Sequence, residues 1–273
     1  MQSITITYVN QDKEVTNTVY VDPAELESEG GFYKVPAVVA PAQIGDTITV
    51  TIEEMNGETE YSTSIADYCK YLLDNDDFSA EVKALAAATL EYGQAANNYF
   101  AGTGFYNANS FADTANAQAA VDTVKAIESK LSATGDARSK ITSASFMVLT
   151  KPEFRFYTTG LTEAEAVALN RKITVTNSAN EIVETVNARF VKSAQDNDVI
   201  LLEVTGIEAA NLDEVYTVTI DDFGTVTFSG NDFARMLANN SETATLGAAL
   251  YLYGKAAADC FPASGGHGNE KDI

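Results

Sequence analysis

A short signature occurs twice in this chain, and it limits the possible folds more than any other feature. Tyr92-Gly93-Gln94-Ala95-Ala96-Asn97-Asn98-Tyr99-Phe100 returns as Tyr253-Gly254-Lys255-Ala256-Ala257-Ala258-Asp259-Cys260-Phe261, each time at the end of a helical pattern. A fixed internal repeat predicts two copies of one supersecondary unit, so the elements upstream of each signature are expected to correspond.

They do correspond in order. SITITYVNQDKEV from Ser3 matches KITVTNSANEIV from Lys172, and both open with the apolar and polar alternation of a half-buried strand. FYKVPAVVAPAQIGDTITVTI from Phe32 matches VILLEVTGIEAANLDEVYTVTI from Val199, two strands around a connection, and ETEYS ending at Ser62 matches TVTFS ending at Ser229. In the first copy Ile65, Tyr68, Cys69, Leu72 and Leu73 have helical spacing, DNDDFS interrupts it, and Val82, Leu85, Ala86 and Leu90 resume it. In the second, Phe233, Met236 and Leu237 make a short helix, stopped at Asn239-Asn240-Ser241, and Leu246, Ala249, Leu250 and Tyr253 make the return. Gly93 and Gly254, each followed by paired alanines, suit close backbone approach.

Between the copies, residues from Gly102 to Phe111 read as a Gly/Asn-rich linker, and Asp113 to Leu131 as an amphipathic helix closed by Gly135. Ile141 to Gly160 reads as a β-hairpin turning at Lys151-Pro152. The first copy has no such hairpin ahead of it, which suggests a start inside a domain or a partner strand supplied from elsewhere. The expected fold class is therefore α+β, two repeated modules joined by a linker helix, each a small sandwich-like antiparallel β unit followed by a helical hairpin. The boundaries are 1–101 for the first module, 102–140 for the linker with its helix, 141–261 for the second module and 262–273 for a Gly-rich flexible tail.

Charge narrows the partners. Among 273 residues, 39 are acidic and 17 basic, a formal charge of -22. Phosphates and anionic headgroups are repelled, and no basic cluster offsets this, so neither nucleic acid nor a membrane surface is an expected partner. The longest uncharged stretch, Tyr92 to Ala112, is rich in Asn, Gly and Gln, so membrane insertion is not expected either. MQSITITYVN lacks the basic start and apolar run of a signal peptide, which suggests a cytosolic protein or a fragment of an exported one. Cys69 and Cys260 have no metal or redox spacing and read as small buried apolar residues.

The strands, YSTSIADYCKYLL, the Ala-rich helix ending YGxAAxxYF, and a later strand pair ending EFRFY together resemble tandem modules of large secreted or cell-wall proteins from clostridial gut bacteria. The likeness rests on Tyr61 to Phe100, Phe146 to Tyr157 and Thr217 to Phe261. It implies export, attachment to the cell wall through regions outside this chain and a surface or scaffold role, and it brings no catalytic residues.

Reaction chemistry has little to work with. His267 is the sole histidine and lies in the tail, which removes triad-type hydrolysis, and one such His with two distant cysteines cannot make the usual zinc set. There is no Walker loop or GxGxxG turn. Paired acids for glycoside hydrolysis exist in number, but no pair stands out. The chain is accordingly expected not to be an enzyme and to need no cofactor, with calcium as the one metal to consider.

Asp74, Asp76, Asp77 and Glu81 offer hard oxygen ligands for calcium, although their spacing is not that of an EF-hand. The same residues also suit the cap of a helix beginning near Ser79. Tyr99, Phe105, Tyr106 and Phe111 form an aromatic concentration that could stack on a sugar or simply pack the linker. The expected function is a non-catalytic binding, adhesion or spacer segment of a bacterial surface protein, with a host protein or glycan as partner. The alternative is a carbohydrate-binding accessory module of a secreted glycan-degrading system, which would display an exposed aromatic strip.

Overall fold

The alternation of Ser3-Ile4-Thr5-Ile6-Thr7-Tyr8 becomes a strand whose apolar side chains all turn inward: Ile4, Ile6 and Tyr8 are buried while the intervening threonines are not. The computed structural model describes residues 2–29, 32–100, 115–148, 152–193 and 199–261. They fall into two units, 1–111 and 112–273. Among the described residues the chain is α+β, with seven helices, three four-stranded antiparallel sheets and one two-stranded pair.

The first unit contains β1 (Ser3–Val9), β2 (Val15–Val21), β3 (Ser28–Glu29), β4 (Phe32–Tyr33), β5 (Thr47–Glu54), β6 (Gly57–Thr63), α1 (Ile65–Asp74) and α2 (Ala80–Tyr99). Its sheet has the order β2-β1-β5-β6. The β1–β2 turn is closed by Asn10, whose Oδ1 accepts from the Glu14 N–H at 2.9 Å, and Lys13 takes the left-handed conformation at φ 65. The sheet's inner face packs Ile6, Tyr8 and Ile48 against Val35, Val39 and Ile65. The helices pack Cys69 and Leu72 against Ala86 and Leu90. Ser64 caps α1 by accepting from the Asp67 N–H at 3.0 Å, so the capping serine stands two residues beyond the ETEYS run; Ser79 does the same for α2 from Val82 at 3.3 Å.

The second unit contains α3 (Ala115–Lys125), β7 (Ser132–Ala133), α4 (Ala137–Lys140), β8 (Ile141–Val148), β9 (Pro152–Thr158), α5 (Glu163–Leu169), β10 (Ile173–Thr176), β11 (Asn187–Lys192), β12 (Ile200–Thr205), β13 (Val215–Ile220), β14 (Gly224–Ser229), α6 (Gly230–Ala238) and α7 (Ala244–Cys260). Its sheets are β10-β13-β14-β7 and β11-β12-β9-β8. Phenylalanines join them: Phe154 and Phe156 on β9 lie 5.2 and 5.1 Å from Phe228 on β14, and Phe233 on α6 lies 4.7 Å from Phe154. All four are fully buried. Each such burial contributes on the order of 2–3 kcal/mol, which makes this cluster the centre of the unit.

The hairpin expected between Ile141 and Gly160 is present as β8 and β9. The helix expected over Asp113 to Leu131 is a correction: it is described from Ala115 and ends at Lys125. It is also not a connector, because it packs against α6 and α7 with Val121 and Val124 buried. The chain beyond it runs into β7, which pairs with β14 through Ser132 and Ala133.

Cys69 is buried, Cys260 is half-buried, and no disulfide joins them. Residues 262–273, expected as a tail, lie outside the described residues.

Candidate functional site

Polar strand residues and an amphipathic helix meet at the end of the first unit's sheet, and there the unit displays aromatic side chains. Cross-strand register places Ile6, Val50 and Tyr61 in one row, so Tyr61 opens on the face that β1 uses for burial. Along α1, Cys69 and Leu72 turn inward, while Tyr71 and, despite its i, i+4 spacing from Leu72, Tyr68 stay exposed. Tyr61, Tyr68 and Tyr71 are 63%, 47% and 55% exposed. Tyr68 and Tyr71 stack with centroids 6.5 Å apart and planes 25° from parallel, and Phe78 meets Tyr71 edge-on at 5.9 Å. The Tyr71 hydroxyl accepts from Asn75 Nδ2 at 3.1 Å, which fixes the ring.

One acid borders this face, and two more lie on the opposite side of the sheet. Asp67 on α1 is exposed, with Lys70 Nζ 3.3 Å from its Oδ1. On the sheet's other face, Glu58 of β6 stands opposite Glu53 of β5, a like-charge pair with no adjacent strand on the outer side among the described residues. Opposed like charges destabilise a sheet edge.

The acidic loop between α1 and α2 holds the four residues considered for calcium. Asp74 ends α1, Asp76 pairs with Lys83 at 3.3 Å, and the Asp77 N–H donates to Asn75 Oδ1 at 3.0 Å. Glu81 sits in the first turn of α2, where hydrogen bonds from its own backbone and from Ser79 hold its carboxyl below the usual range. These are contacts of helix ends. Among the described residues no group of three or more His, Cys, Asp or Glu is placed to hold a metal ion.

Of the aromatic residues considered for sugar stacking, Tyr99 is half-exposed and meets Phe100 edge-on at 4.9 Å, while Phe105, Tyr106 and Phe111 lie outside the described residues, as does His267. Tyr61, Tyr68 and Tyr71 were not expected as a site. The sequence match of Ser62 with Ser229 sets Ala66 against Phe233 and so hides them; counted from the observed caps Ser64 and Ser229, Tyr68 and Phe233 are each the fourth residue on.

The second unit brings together a charged row. Buried Glu203 on β12 receives Arg189 Nη2 at 2.9 Å from β11 and lies 3.9 Å from Arg155 Nη2 on β9; Arg155 Nε also donates to Glu153. Burial first, and the neighbouring Glu203 with it, push the Glu153 carboxyl up against the pull of Arg155. The two acids are thus engaged by arginines across three strands. A separate cleft of about 280 Å³ carries Asp213, Tyr251, Lys255 and Asp259 on its walls. Among the described residues no helix is long and apolar enough to cross a membrane.

Comparison of the chain with family models, with curated proteins and with solved structures finds no match.

Proposed function

We propose that the chain is a non-catalytic binding segment of a bacterial cell-surface protein, built from two copies of one strand-then-helical-hairpin module. Support for the repeat comes from matching details. The order β1-β5-β6 in one sheet parallels β10-β13-β14 in another. Asn177 closes its turn as Asn10 does, accepting from the Glu181 N–H at 2.9 Å with Asn180 left-handed at φ 61. The Ala66 N–H donates to the Ile44 carbonyl at 2.8 Å, and the Asn231 N–H to the Leu212 carbonyl at 2.9 Å. Gly93 packs against Ile44, and Gly254 against Leu212.

One observation carries the binding role. Tyr68 is 47% exposed at the helical position where Phe233 is 1% exposed, so the first module displays an aromatic residue where the second buries one. The acidic surface and the resemblance to clostridial surface modules favour an extracellular setting with host protein or glycan as partner. The test is a screen of the purified chain against host proteins and a glycan array, repeated with Tyr68→Ala and Tyr71→Ala. Saturable binding that both substitutions abolish is the expected result; binding indifferent to them would overturn the reading.

A carbohydrate-binding accessory role is the second reading. It is favoured by the near-parallel Tyr68 and Tyr71 rings, which offer a flat apolar surface to a sugar face.

A further inference from the structure

We propose that the open side of the first unit is a receptor for a polypeptide segment with the chemistry of this chain's own residues 115–160. This rests on the repeat reading above and names the partner class for the aromatic face. The template is inside the molecule. In the second unit three separate elements of that segment cover the end of β14 and α6, and each covered position has an open equivalent in the first unit.

The first is a strand edge. β7 adds to the outer edge of β14, pairing Ala133 with Val226 and Ser132 with Thr227. The equivalent strand β6 is the last in its sheet, with no pairing on its outer side among the described residues. An added strand would satisfy its outward N–H and C=O groups. A basic residue on that strand would also relieve the opposed Glu53 and Glu58.

The second is a carboxylate. Asp232, 2% exposed, accepts from Ser129 Oγ and from the Lys130 N–H, both at 2.7 Å, and so ties the incoming chain to the first turn of α6. Asp67 stands at the same place in α1, three residues after the capping Ser64 as Asp232 is three after Ser229, and its side chain is 69% exposed. Lys70 lies 3.3 Å from it, and a hydroxyl and a backbone N–H would approach the exposed remainder of the carboxylate.

The third is an aromatic platform. Phe233 is met by Phe146, Phe154 and Phe156 at 5.8, 4.7 and 6.2 Å; Phe154 and Phe156 alternate along β9, and Phe146 on β8 stands opposite Phe154. Tyr68 occupies that position on α1 and lies open. A tyrosine in place of the phenylalanine suits a surface that is wet until its partner arrives, because the hydroxyl stays hydrated while the ring supplies contact area. Strand addition, a charge-assisted anchor and an aromatic platform together describe a site for an extended peptide with alternating aromatic residues, not for a sugar, which would use the rings alone.

The experiment appends a second copy of residues 115–160, through a Gly/Ser linker, to the N-terminus of the full chain, which makes docking intramolecular at an effective concentration in the millimolar range. Amide hydrogen exchange of Gly57 to Thr63 is then compared with the unmodified chain. The expected result is exchange at least tenfold slower in alternate β6 amides, reversed by Asp67→Ala and by Tyr68→Asp, two exposed positions at which the circular-dichroism spectrum and urea midpoint are expected to stay unchanged. Unchanged exchange overturns the proposal. Protection of β6 in the unmodified chain that grows with its concentration overturns it too, because the occupant is then a second copy of the whole chain. Saturable glycan binding at Tyr68 that the appended segment fails to displace also overturns it. Should the repeat reading itself be wrong, an experimental structure will lack the Gly93–Ile44 or the Gly254–Leu212 contact; unprotected β6 with both contacts present sinks the docking alone.

Discussion

Gly93 lies so close under Ile44 that a Cβ added to the glycine would stand 2.0 Å from Ile44 Cδ1 and 2.5 Å from Cγ1. The helix α2 can pass the turn at Pro41–Gln43 only because this position has no side chain. Ile44 is buried and β-branched, so it has little freedom to swing away. Gly93→Ala is expected to destabilise the first unit by about 1–2 kcal/mol, the overpacking cost exceeding the roughly 1 kcal/mol that alanine gains in a helix. Ile44→Val, which deletes the clashing methyl, should recover part of that loss in the double variant. At Gly254 the nearest atom is Leu212 Cδ1 at 2.8 Å, so Gly254→Ala should cost less. Urea denaturation of the four variants orders these effects.

Phe233 and Tyr68 give a sharper contrast. Phe233→Ala removes a ring from the aromatic cluster between the two sheets of the second unit, and about 3–5 kcal/mol of stability should go with it. Tyr68→Ala, like Phe233 four residues beyond its helix cap, should change stability by no more than about 0.5 kcal/mol, because the residue is 47% exposed. A large loss at Tyr68 in calorimetry would mean that its ring is already covered.

Burial alone raises the Asp46 carboxyl above its ordinary 3.8. The native state thus holds this proton more tightly than the unfolded chain does. The stability that this brings is fully present below pH 3.8 and is lost as pH rises through the folded value. Asp46→Asn keeps the shape without the charge. The variant should be more stable than the natural chain at neutral pH, and the difference should vanish as pH falls below the unfolded value. Denaturation midpoints of both proteins between pH 3 and pH 7 check the sign; a difference that grows on acidification would refute it.

Much of this architecture was legible in the residues. The recurring Tyr-Gly-x-Ala-Ala run marked α2 and α7 because close packing at Gly93 and Gly254 demands small residues, and alternation marked β1 and the hairpin of β8 and β9. What escaped depends on contacts distant in the chain. Isoleucine, leucine and valine crowd β12 because both of its faces are buried, so period-two reading does not say which sheet it joins. Asp232 looks like any helix-capping acid until Ser129 and Lys130 reach it from more than a hundred residues away. The aromatic face was equally hidden. Tyr68 and Phe233 share a helical pattern that predicts burial for both, and only the presence of a covering hairpin beside one of them decides the outcome.

The two cysteines turn these contacts into a kinetic readout. Cys69 is 5% exposed, and burial pushes its thiol up to about 11, so near pH 8 on the order of one part in a thousand is the reactive thiolate. Cys260 lies at the end of α7 and is half-buried, which gives a probe partial access. A thiol reagent at pH 8 is therefore expected to modify Cys260 well before Cys69, with Cys69 labelled only as α1 opens from Ala86 and Leu90. Since Gly93→Ala strains the same core through Ile44, it should speed Cys69 labelling several-fold and leave the Cys260 rate unchanged. Peptide mapping by mass spectrometry over a time course separates the two rates, and acceleration at Cys260 alone would show that strain at Gly93 does not reach the helical core of the first unit.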